Sequence, residues 1–155
     1  MSLLDKVKNA AKQVPFGNEE LNTGIYKGKL VSIKHDTIKE QYEVYRFWYK
    51  IKANDSEYIL TDTMFVNEDP DKTETQVSFR IKDAFEAGAV SPEALEKAMS
   101  NLDGFFEYYV KQMANYEVAV KLYDDKYKGN VNRKIAVSSV KPANATAEKK
   151  DDLPF

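Results

Sequence analysis

Polar and apolar residues alternate from Gly24 to Ala53 with the two-residue period of β-strands. The stretch GIYKGKLVSIKH sets Ile25, Val31 and Ile33 on one face. YEVYRFWYKIKA follows, dense in aromatic and β-branched side chains, and EYILTDTMFV makes a third run. Upstream the period is helical. Leu3, Leu4, Val7, Ala10, Ala11 and Val14 form a stripe behind a Ser2–Asp5 capping spacing, and Pro15, Gly17 and Asn18 end it. This helix, Ser2 to Val14, either packs on the domain or serves as a subunit-contact arm.

After the third strand, NEDPDKTET is polar, contains Pro70 and reads as a loop. VSFRIKDAFEAG carries Val77, Ile81, Ala84 and Phe85 at helical spacing with Gly88 as a stop, although Val77, Phe79 and Ile81 also permit a strand start. SPEALEKAMSNLDG is a helix capped by Ser91, with Pro92 at its first position and Gly104 beyond its end. Ala94, Leu95, Ala98, Met99 and Leu102 share one face. FFEYYVKQMANY suits a helix through Phe105, Tyr109 and Met113, or a strand through its aromatic density. YEVAVKLYD and RKIAVSSV are two further strands around the turn DKYKGNVN. From Lys141 the period disappears, and KPANATAEKKDDLPF has too few large apolar groups to offset the entropy of ordering.

The expected organisation is an N-terminal helical arm over 1–20, one domain over 21–140 and a disordered tail over 141–155. The fold class is mainly β (α+β). Five strands with helices inserted between the third and fourth is the order of the OB-fold, a small Greek-key barrel that binds oligonucleotides.

Composition narrows the chemistry. Apolar residues make up 43% and aromatics 12% of 155 residues, enough for one core with aromatic surface to spare. No Cys is present, so disulfides and thiolate metal sites are excluded, and a reducing compartment fits. No segment approaches the roughly 20 apolar residues of a membrane span, and no signal peptide is expected. The net charge of -2 argues against a uniformly basic surface, though a local basic groove remains compatible with it.

Catalysis finds little footing. Any Ser–His or Cys–His pair would need the single histidine, His35, which sits beside Asp36 where a strand end is expected. The acids fall in no phosphate-loop or calcium-loop motif, and Asn67 to Asp71 reads as an exposed loop. No catalytic residue, metal or cofactor is expected.

Binding chemistry is better represented. Alternate side chains of a strand face opposite ways. In the second strand Tyr45, Phe47, Tyr49 and Ile51 should face the core, leaving Tyr42, Val44, Arg46, Trp48 and Lys50 on the other side. Aromatic rings interleaved with cations suit single-stranded nucleic acid, where stacking is worth roughly 1–3 kcal/mol per base. The alternative is a strand covered on both faces by the helical insertion, with Trp48 in the core. Tyr123, Lys126, Tyr127, Lys128, Arg133 and Lys134 repeat the mixture around the last turn, which forms one lip of an OB-fold groove. The expected DNA-binding set is therefore Tyr42, Arg46, Trp48, Lys50 and these six.

Asp151, Asp152, Leu153, Pro154 and Phe155 match, position by position, the acidic–aliphatic–Pro–Phe tip of bacterial and phage single-stranded DNA-binding proteins. NTGIYKGKLVSIK and YKGNVNRKIAVSSVKP extend the resemblance to the divergent phage-type members of that family. The resemblance implies sequence-independent binding of single-stranded DNA in replication, recombination or repair. It also implies a cytoplasmic setting in a bacterial host, and a tip that docks on partner enzymes. Phe155 would fill an apolar pocket, its carboxylate would meet a cation, and Asp151 and Asp152 would steer toward a basic rim. Homo-oligomerisation stays open. The competing functions are a DNA-independent adaptor that recruits replication enzymes through its tail, and a carboxylate-dependent nuclease.

Overall fold

The computed structural model describes residues 16–143. The helix expected over Ser2 to Val14 and the tip at Asp151 to Phe155 lie outside them. The chain forms β1 (Gly24–Ile38), β2 (Tyr42–Ala53), β3 (Ser56–Phe65), α1 (Pro70–Glu86), α2 (Pro92–Ala98), α3 (Leu102–Met113), β4 (Tyr116–Tyr127) and β5 (Asn130–Pro142). The strands make one antiparallel sheet in the order β3-β2-β1-β4-β5, with the helices inserted between the third and fourth strands. The last strand runs to Pro142, past the expected tail boundary, and the Ala143 N–H bonds Asn115 O.

Tight turns set the register. Asn54–Asp55 and Lys128–Gly129 link their strands as two-residue turns with positive φ at both positions, the type I′ geometry whose twist suits a hairpin. β1 serves two neighbours: Gly24 to Gly28 pairs with β4, and Gly28 to Ile38 pairs with β2. The handover needs glycine, because a Cβ at Gly28 would stand 2.0 Å from Lys50 O.

β2 buries Tyr45, Phe47, Tyr49 and Ile51, as its alternation predicts. Phe106 of α3 meets Tyr45 and Phe47 edge-on at 4.7 and 5.2 Å, and Phe105 stacks on Tyr109 at 6.1 Å. The helices therefore cover this face of β2 and leave the other to separate partners.

Four local expectations are corrected. In β1 a bulge between Leu30 and Ser32 shifts the register, so Leu30 is buried while Ile25 and Val31 are exposed. The polar run read as a loop after Asn67 contains the start of α1: Asp69 caps it by accepting from Asp71 N–H, and Pro70 takes the first position. The single helix expected from Ser91 is two. Ser91 caps α2, which ends at Ala98, and Asn101 caps α3. Gly104 is thus in the first turn of α3, and the ambiguous aromatic run is helix.

No ladder joins β3 to β5 among the described residues, so the sheet is open there. The segment 16–21 borders the gap. Phe16 forms a parallel bridge with Ile59, and the Gly17 N–H bonds Ile59 O at 2.8 Å. The Asn18 side chain donates to Thr61 O and accepts from Thr61 N–H, as a strand backbone would. From the far side, Arg133 of β5 donates to Leu21 O at 2.5 Å.

Candidate nucleic-acid interface

The outer face of β2 carries the expected mixture. Paired residues of adjacent strands share a face. Trp48 lies between Ser32 and Thr61, Arg46 between Lys34 and Thr63, and Lys50 between Lys29 and Ile59. Trp48 is half-buried, and its described ring contact is Phe16, edge-on at 5.8 Å. Tyr42 meets Phe65 edge-on at 6.3 Å. Val44 shares their parity but is buried. Tyr42 and Trp48 stand six residues apart along β2, about 20 Å at the usual strand rise. Arg46 lies between them. Trp48 Nε1 and Thr61 Oγ1, on cross-strand neighbours, are shielded from solvent and have no hydrogen-bond partner among the described residues.

Beside this face runs a groove of about 1360 Å³ between β3, α1 and the β4–β5 hairpin. Thr61, Thr63 and Phe65 form one wall, Lys72, Gln76, Phe79 and Lys82 of α1 the second, and Tyr123, Arg133 and Lys134 the third. Phe16 belongs to both features, since it lines the groove and touches Trp48. Phe16, Phe65 and Phe79 remain 55%, 52% and 61% exposed. Three large rings left in solvent around one concavity are the kind of patch that marks a binding surface.

Of the residues singled out in the sequence, Tyr123, Arg133 and Lys134 line the groove, and Tyr42, Arg46, Trp48 and Lys50 form the adjoining face. Lys126 and Lys128 are exposed near the hairpin tip and do not line the groove. Tyr127 pairs with Asn130 at the end of the hairpin. Phe16, Phe65, Phe79, Lys72 and Lys82 escaped the sequence reading. Phe79 did leave a signal, because it stands off the buried stripe Thr73, Val77, Ile81 and Ala84.

The cations do not stand alone. Arg46 pairs with Asp36, Lys50 with Glu57 at 3.0 Å, Arg133 with Asp124 at 2.5 Å and Lys134 with Asp125 at 2.7 Å. The backbone N–H of Thr37 and then the Arg46 guanidinium hold the Asp36 carboxyl below its ordinary range. The bond to Asp125 raises Lys134. On the groove wall Arg80 grips Asp62 through two bonds of 2.9 and 3.1 Å, tying α1 to β3. Burial pushes the Asp62 carboxyl up, and Arg80 opposes that push.

His35 is not a simple solvated strand end. Its Nε2 is 2.6 Å from Glu43 and its Nδ1 2.9 Å from Asp103, and the ring stacks on Tyr45 at 4.3 Å. This cluster ties β1 and β2 to α3. Burial, and then the bond to Asp103, push the Tyr45 hydroxyl well above its ordinary range. Among the described residues, no three His, Asp or Glu side chains converge on a metal-sized position. No helix there is long and apolar enough to cross a membrane. A scan against protein-family models returns no match, and a search of curated proteins returns no significant one.

Proposed function

We propose that the protein binds single-stranded DNA without sequence preference, through the outer face of β2 and β3 and the adjoining groove. The observation that carries this reading is the exposure of Phe16, Phe65 and Phe79 around a groove that also holds Lys72, Lys82, Arg133 and Lys134. Flat rings take any base, and cations spaced among them follow the backbone. Trp48 and Tyr42 extend the stacking surface from the groove across β2.

The strand order supports an OB-type fold, in which the third and fifth strands approach at the closure of the barrel. On this reading segment 16–21 stands in for the missing ladder. The likeness of Asp151 to Phe155 to the tips of single-stranded DNA-binding proteins adds a second role, recruitment of replication, recombination or repair enzymes.

Fluorescence anisotropy of a labelled oligo-dT and of a duplex of equal length, each at two salt concentrations, tests the function. Oligo-dT should bind more tightly, and its affinity should fall as salt rises. Equal affinity for both forms would overturn the reading. Binding to neither would leave the adaptor function standing.

A further inference from the structure

Arg46, Lys50, Arg80, Arg133 and Lys134 each pair with a carboxylate, and these cations lie on the outer face of β2 or in the groove. Lys72 and Lys82 of α1, on the opposite wall, form none among the described residues. An arriving phosphate therefore meets bare lysines on α1 and occupied cations on the hairpin. We propose that phosphate binding at the β4–β5 hairpin is an anion exchange, in which Asp124 and Asp125 hold Arg133 and Lys134 until nucleic acid displaces them. The inference rests on the groove being the nucleic-acid site.

The geometry suits exchange. Asp124 lies directly opposite Arg133 in the ladder, and Asp125 reaches Lys134 across a diagonal. The two carboxylates are 38% and 40% exposed, so they can turn to water when displaced. Arg133 keeps its position meanwhile through its bond to Leu21 O. Exchange lowers the effective positive charge the hairpin offers to DNA. Binding becomes weaker and less salt-dependent than the number of cations implies. Selection between forms then falls to the aromatic rings, which a duplex cannot stack on.

The test is the double variant Asp124→Asn/Asp125→Asn of the full chain, titrated with oligo-dT over a range of salt. Each substitution keeps the side-chain shape and removes the competing anion. Affinity at low salt should rise about two- to fivefold per position, the range that an exposed ion pair supplies. The slope of log affinity against log salt should steepen by up to about 1.4, or ~0.7 for each unmasked cation. Lys134→Gln should cost more affinity in the Asp125→Asn background than in the wild type. A variant that binds with the wild-type slope and affinity would overturn the exchange and leave the groove in place. Binding by the variant alone would support exchange in its strongest form. Binding by neither protein would remove the groove reading and the exchange with it.

Discussion

One strand of this protein supports two surfaces of opposite character. The inner face of β2 packs Tyr45 and Phe47 against Phe106 and excludes water. The outer face presents Tyr42, Arg46, Trp48 and Lys50, in part exposed, beside a groove rimmed by phenylalanines. Both faces are rich in aromatic residues, so hydrophobicity alone does not separate them. What separates them is coverage: helices seal one face, while the described ring contacts of Trp48 and Tyr42 on the other are Phe16 and Phe65. Inner aromatics should therefore govern stability and outer aromatics binding.

The largest break in that contrast is Phe47→Ala. The ring is fully buried, and its loss should cost about 4 kcal/mol of stability, transfer and cavity together. Chemical denaturation measures this, and a loss below ~1 kcal/mol would mean that the inner face is not the core.

Arg80→Ala comes next. It leaves Asp62 buried without its cation, at a cost of about 3 kcal/mol near neutral pH. The sign with pH follows from burial. Without Arg80 the Asp62 carboxyl is raised further above its unfolded value, so the stability of the variant is fullest below that value and falls as pH rises through the folded one. The gap between variant and wild type should narrow toward pH 4, and a gap constant with pH would rule out Asp62 as its source.

Trp48→Ala reverses the pattern. Stability should change less than in Phe47→Ala, while affinity for oligo-dT should fall by about 2 kcal/mol, the scale of one stacked base. Phe79→Ala should act in the same direction with a smaller loss, near 1 kcal/mol, because its ring stands at the far wall of the groove. A Phe79 variant with unchanged affinity would confine the interface to β2 and β3.

The sequence was most legible where one element carries the whole pattern. Clean alternation in β2 assigned both faces, and Ser91–Pro92 marked the start of a helix. It was less legible where a local event interrupts the period. The bulge near Val31 inverts β1, so side chains that alternate correctly in sequence reach the wrong face in space. The first turns of α1 hold no large apolar side chain before Val77 and resemble a loop, although Asp69 and Pro70 form a proper helix start. The groove was hidden for another reason. Phe16, Phe65 and Phe79 come from three separate segments, and only the folded sheet brings them together.

Trp48 is the single tryptophan of the chain, so its emission reports on the outer face of β2 without interference. The most direct test follows that emission during titration with oligo-dT, with anisotropy of a label on the oligonucleotide read in parallel. Trp48 emission should show a saturable quench that tracks the anisotropy and reverses when salt is added. Binding by anisotropy with unchanged Trp48 emission would contradict the placement of the interface, and a flat anisotropy trace at low salt would contradict the function itself.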